Sequence, residues 1–163
     1  ITRPGIRIIY GDRNWGETTR RQLVMTYEDI RNSIKKHEGY RDEPYHCTEG
    51  HLTGGYGHKI IEGEDIPDNE WGWNLLFEKD FEKALDGARR LVNEQETHPE
   101  AFGILVEMCF QLGEFGVSKF KKMLTALEKK DYEDAGWEMK DSKWNQQTPN
   151  RCEELSYRMR NIS

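Results

Sequence analysis

The sequence predicts an α+β fold with a small β-sheet lobe and a larger all-helical lobe joined by a long helix. Three observations predict it. Residues 44–60 (PYHCTEGHLTGGYGHKI) are rich in glycine and aromatics and lack helical periodicity. A broad apolar face recurs at helical spacing from about Asp68 to Asn93. Helix start and stop signals then follow one another from Pro99 to the end of the chain.

Residues 1–25 hold one β-branched run, Ile6 to Tyr10, followed by turn residues, and read as an extension outside the domain of residues 26–163. Thr26 can cap a helix with Asp29 at N3, and Tyr27, Ile30 and Ile34 form its apolar stripe. That helix should end at Glu38, with Gly39 supplying the left-handed residue beyond it. Residues 44–60 then form a hairpin or a three-stranded sheet. If Glu49, Gly50 and His51 make its loop, Thr48 pairs with Leu52 and Cys47 faces Thr53.

The helix from Asp68 to Asn93 carries Leu75, Phe77, Phe81, Leu85 and Ala88, and at 1.5 Å per residue it spans roughly 40 Å, enough to join two lobes. Pro99 suits the first position of a helix ending at Gly113. A second is expected from about Val117 to Glu128, Asp131 caps a third, and Thr148 with Pro149 opens the last.

Charge narrows the function. A net charge of −6 argues against general binding to nucleic acids or anionic membrane surfaces. No apolar run approaches a transmembrane length and no signal-peptide pattern appears, so no membrane insertion is expected. Three cysteines, Cys47, Cys109 and Cys152, are an odd number in a chain too large to need staples, which favours free thiols.

Glu38 sits at a helix end on the margin of the apolar stripe. Partial desolvation and the negative end of the helix dipole both raise a carboxyl pKa, and a glutamate protonated near neutrality can act as a general acid. For an isolated glutamate, a solvated last-turn residue is the commoner reading. Cys47 and Thr53, directly opposed on one strand face, would hold a water between thiol and hydroxyl; a half-buried cysteine beside an ordinary strand threonine is the plainer alternative. Gly54, Gly55 and Gly57 around Tyr56 mark either close approach of a ligand or tight packing of sheet on helix. His58 is either a base or, more often at a strand end, a structural donor to a carboxylate. His46, Cys47, His51 and His58 do not complete a tetrahedral set, so neither a metal nor another cofactor is expected. A Cys47–His58 thiol dyad is a further candidate, weakened because such cysteines commonly open a helix.

Glu38-(x8)-Cys47-(x5)-Thr53 resembles the catalytic signature of the phage-type lysozymes, glycoside hydrolase family 24. Glu38-Gly39-Tyr40-Arg41, Tyr45, Thr48-Glu49-Gly50 and Thr53 through His58 resemble that family's active-site lobe. Phe110 to Glu114, Gly116-Val117, Phe120, Trp144-Asn145 and Gln147 to Arg151 resemble its helical lobe. The resemblance covers about residues 26–160. It implies a cleft between the lobes and hydrolysis of the β-1,4 bond between N-acetylmuramic acid and N-acetylglucosamine in bacterial peptidoglycan. The expected agent is a monomer that acts on the cell wall, kept in the host cytoplasm before release or carried on a virion. By carry-over Glu38 is the acid, Cys47 and Thr53 position or activate water, and Arg151 pairs with Glu38. Glu49, His58, Phe110 and Gln111 match substrate-binding positions. Many members have aspartate where this chain has Cys47, which leaves inversion or retention open. The alternatives to an enzyme of this kind are a non-catalytic peptidoglycan-binding or virion structural module with the same fold, and a thiol-dependent peptidase or amidase.

Overall fold

The computed structural model describes residues 25–47 and 50–163. The Ile6–Tyr10 run, Thr48 and Glu49 lie outside the described residues. Ten elements follow in order: helix α1 (Tyr27–Glu38), strands β1 (Arg41–His46), β2 (Leu52–Gly55) and β3 (His58–Lys59), then helices α2 (Glu70–Leu91), α3 (Pro99–Ser118), α4 (Lys121–Glu128), α5 (Tyr132–Lys140), α6 (Lys143–Gln147) and α7 (Pro149–Arg160). The three strands form one antiparallel sheet in chain order. The α+β class and the two-part arrangement are as the sequence predicts.

Helix α1 begins with a reciprocal capping box. The Thr26 hydroxyl accepts from the Asp29 N–H, and the Asp29 carboxylate accepts from the Thr26 N–H, both at 3.0 Å, which satisfies two orphan donors at once. Tyr27, Ile30 and Ile34 are all buried in the main core. Gly39 ends the helix at φ 69°, its N–H donating to the Lys35 carbonyl.

The hairpin register differs from the expected one. Tyr45 pairs with Thr53 and His46 with Leu52, while Cys47 N–H donates to the His51 carbonyl and Gly50 N–H returns to the Cys47 carbonyl. Cys47 therefore stands opposite His51, and Thr53 is its diagonal neighbour on the same face, not its direct partner. Gly50 has φ 85°. A three-residue hairpin loop wants its left-handed residue last, whereas the expected loop placed that glycine in the middle.

Helix α2 packs its Phe77, Phe81, Leu85 and Ala88 face into the core. Leu75, expected on that face, is exposed, and Trp73 is buried in its stead. The Trp73 ring explains two of the sheet's glycines. A Cβ on Gly54 would meet it at 2.3 Å and one on Gly55 at 2.6 Å, so there the glycines serve sheet-on-helix packing.

Helix α3 does not end at Gly113. The chain leaves helical geometry there (φ 79°, ψ 157°), resumes, and runs to Ser118. The glycine kinks the helix because it alone adopts that backbone conformation without strain, and fully buried Val117 anchors the far side of the bend. The next helix accordingly starts at Lys121 instead of Val117. Helix α6, Lys143–Gln147, is an additional element capped by Ser142. Asp131 caps α5 as expected. Thr148 precedes Pro149 as expected, but its hydroxyl donates to the Trp144 carbonyl and accepts from Gln111, and does not cap α7. By length and composition α3 is apolar enough to cross a membrane, a property not evident from the apolar runs alone. In this fold it is the core helix, lined by buried Ile104, Leu105, Val106 and Met108 and carrying buried Glu107. All three cysteines are thiols; burial pushes Cys109 up to about 12 and Cys152 up to about 11.

Candidate active site

The last residue of α1 meets the first turn of α7. Arg151 donates from Nη1 and Nη2 to Glu38 Oε2, each at 3.2 Å. The Glu38 side chain is 19% exposed and that of Arg151 12%. Burial pushes the Glu38 carboxyl above its ordinary value, and the Arg151 charge and hydrogen bonds, His37 and Lys59 oppose the rise without cancelling it. The acid is thus biased toward its protonated form and oriented by a guanidinium at the same time.

Gly57 supplies the other wall. Its backbone has φ 75°, and a Cβ there would lie 2.3 Å from Glu38 Oε1 and 2.8 Å from Cδ. Of the three glycines around Tyr56, this one is required by the acid itself. Tyr56 between them is held against Phe77 at 5.6 Å between ring centroids, with the Lys35 ammonium 4.8 Å from both rings.

Across the sheet, Thr53 is 4% exposed and its hydroxyl donates to the His51 carbonyl at 3.0 Å. With that proton committed, Thr53 Oγ1 offers lone pairs only and can accept from a water. Cys47 is half-buried on the same face, one diagonal step away, a separation of about 7–8 Å rather than direct opposition. The pair can bracket a water, with more room between them than the expected register allows.

His58 has no ring nitrogen to spare. Nδ1 lies 2.7 Å from Asp80 Oδ2 on α2, and Nε2 2.7 Å from Glu64 Oε2 in the loop between sheet and helix. This is the geometry of a structural donor tying β3 to α2. Hydrogen bonding to Asp80 raises the His58 pKa above its ordinary 6.5, with Glu64 adding to the rise and burial opposing it. The stability this cation supplies is fully present below pH 6.5, the unfolded value, and is lost as pH rises through the higher folded value. Asp80→Asn should therefore cost about 1.5–3 kcal/mol at pH 6, the worth of a charged hydrogen bond, and clearly less at pH 9. Urea unfolding at the two pH values checks it; an equal loss at both would contradict the assignment.

On the helical side, Gln111 accepts from Trp144 Nε1 at 3.1 Å and donates to Thr148 Oγ1 at 3.2 Å, which locks its amide against the start of α7, three residues before Arg151. Phe110 is partly buried with its ring 5.5 Å from Phe77. A separate groove of about 540 Å³ is lined by Leu112, Phe120, Met123, Trp144 and Gln147. A larger cavity of about 850 Å³ lies between the end of α2 and α4; neither it nor the groove is lined by any of the expected site residues, and the candidate site is placed by the contacts of Glu38, Arg151 and Gly57. Glu49 lies outside the described residues. Sequence reasoning did not find the roles of Asp80, Glu64 and His37, and it marked Gly57 as a position of close approach without identifying Glu38 as what approaches it; of the other three only His37, adjacent to Glu38 and three residues after Ile34, had a positional signal.

Comparison with known proteins bears on the family of the chain. Residues 35–161 match the family model described as "Phage lysozyme". The chain is 32% identical to "Probable T4-type lysozyme 2" of Dictyostelium discoideum, over 75% of this chain and 88% of that one. It is 30% identical to "Peptidoglycan hydrolase gp36" of Pseudomonas phage phiKMV, over 83% of this chain but 16% of that protein. It is also 30% identical to "Pre-baseplate central spike protein Gp5" of Enterobacteria phage T4, over 76% of this chain and 26% of that protein.

Proposed function

The chain belongs to the phage lysozyme family, and from that membership we propose that it is a peptidoglycan hydrolase of muramidase type, cleaving the β-1,4 bond between N-acetylmuramic acid and N-acetylglucosamine. The observation that carries the reading is Glu38: a carboxyl with its pKa raised by burial, oriented by Arg151, next to a backbone that leaves it room. In this mechanism Glu38 donates its proton to the leaving glycosidic oxygen. Thr53 Oγ1 accepts from the attacking water and Cys47 steers or deprotonates it, so that attack comes from the face opposite the leaving group, with inversion. Gln111 and Phe110, fixed by Trp144, Thr148 and Phe77, line the helical wall. Arg151 aligns the acid, and His58 holds the sheet in place. The substrate is met at the bacterial cell wall, after release from a host or from a phage particle.

The deciding experiment is incubation with purified peptidoglycan, reading reducing ends against free amines. Release of reducing ends supports the muramidase; release of amines instead indicates a peptidase or amidase. The second reading, a binding or structural module, draws on the relative named as a central spike protein and predicts retention on sacculi with neither product. Cys47→Ala should lower turnover by roughly 100-fold or more if the thiol acts on the water, while Cys47→Asp should keep it. Wild-type rates in Cys47→Ala would remove the residue from the mechanism.

A further inference from the structure

One half-buried titratable group, next in the chain to the acid, has no part in the reaction as described. His37 is the penultimate residue of α1, and its ring is 12% exposed. Nδ1 lies 3.4 Å from Glu107 Oε1 on α3, and Nε2 lies 3.0 Å from Glu154 Oε2 on α7. Both are ion-pair distances, but neither approach is aligned as a hydrogen bond, and Glu107 Oε1 has no hydrogen bond among the described residues. Glu107 is 1% exposed; its other oxygen accepts from Arg158 Nη1 at 3.1 Å, and Arg158 Nε donates to Glu100 at 2.7 Å.

Three carboxylates thus converge on one guanidinium and one imidazole. A buried carboxylate oxygen without a donor is costly unless a positive charge lies beside it. The carboxylates accordingly hold a proton on His37 above its ordinary value, Glu107 most of all, with burial and the Arg151 charge opposing. The groups facing His37 are Glu107 from α3 and Glu154 and Arg151 from α7; Glu38 is its neighbour along α1. Those facing Glu38 are Arg151, His37 and, from β3, Lys59.

We infer that His37, as a cation clamped between Glu107 and Glu154, is a positioning residue for Glu38: it pins the last turn of α1 to the helical lobe and sets a second positive charge beside the acid. The inference rests on the proposed role of Glu38 as proton donor. It explains why an acid that must stay protonated is kept from rising without limit: Arg151 and His37 together restrain what burial promotes.

His37→Gln, assayed for reducing ends across pH, tests it. Glu38 works as an acid, so activity falls as pH rises through its pKa; loss of the neighbouring cation should move that basic limb upward by about half a pH unit or more, with a lower maximum rate. A lower rate on an unmoved limb would make His37 merely structural and overturn the inference. The second arm uses the wild-type protein and no assay of turnover: the Glu38 carboxyl ¹³C and the His37 ring are followed together by NMR. A second inflection in Glu38 at the His37 midpoint, above pH 6.5, is expected. A His37 that titrates at its ordinary value without disturbing Glu38 would overturn the inference as well. Failure of the wild type to release reducing ends would instead sink the muramidase reading, with the NMR arm still deciding on His37.

Discussion

Glu38→Gln should abolish release of reducing sugar from peptidoglycan, a loss on the order of 10²–10⁴-fold for a general acid, while the protein folds as before. The amide is nearly isosteric and can still accept from Arg151 through its oxygen, so the fork that now meets Oε2 at 3.2 Å keeps a partner. What disappears is the transferable proton. The effect on stability should run the other way. Because burial raises the Glu38 pKa, its contribution to stability is fully present below the unfolded value and is lost as pH rises through the folded value. At neutral pH an ionised Glu38 therefore weighs against the fold, and Glu38→Gln should melt at the same temperature as wild type or higher. Activity and melting temperature measured side by side check both halves. Substantial turnover in the variant would remove Glu38 from the acid's role; a sharp fall in melting temperature would mean that the Arg151 pair is a net structural asset instead of a restraint on the acid.

The legible parts of this fold are those whose cause is local. Thr26 and Asp29 lie three residues apart and cap one another, and Tyr27, Ile30 and Ile34 repeat at the helix period, so α1 and its last residue could be read without a structure. The hairpin was legible as a hairpin but not in register, because alternation fixes which face a residue takes and the turn fixes its partner. Cys47 and Thr53 share a face under either register, and only their separation changed. Gly113 gives a stop signal locally and acts as a kink, since Val117 beyond it is drawn into the core. Contacts between distant segments leave no periodic trace. Arg151 and Glu38 are 113 positions apart and were connected only through family resemblance. The partners of His58 on α2 and in the following loop, and the carboxylates around His37 on α3 and α7, became visible only in three dimensions.

Gly57→Ala should impair turnover through the acid while leaving the carboxyl group itself in place. Gly54, Gly55 and Gly57 look alike in sequence, yet the first two face the rigid, buried Trp73 ring and the third faces the end of a side chain that can move. A methyl at position 57 would stand 2.3 Å from Glu38 Oε1 and 2.8 Å from Cδ, so the carboxylate must swing away from the place where Arg151 holds it. The backbone adds its own cost, about 1–2 kcal/mol for a side chain at positive φ. That leaves a protein that folds with a modest loss of stability. The chemistry is less forgiving, because displacing a reacting group by about 1 Å costs on the order of 100-fold in rate. The expected result is therefore a folded variant with roughly one hundredth of wild-type turnover. If the loss arises through the acid, it must vanish where the acid is already gone: Gly57→Ala in a Glu38→Gln background should lower the residual rate no further. A full additional loss in the double variant would place the damage in substrate binding along the sheet and not at Glu38.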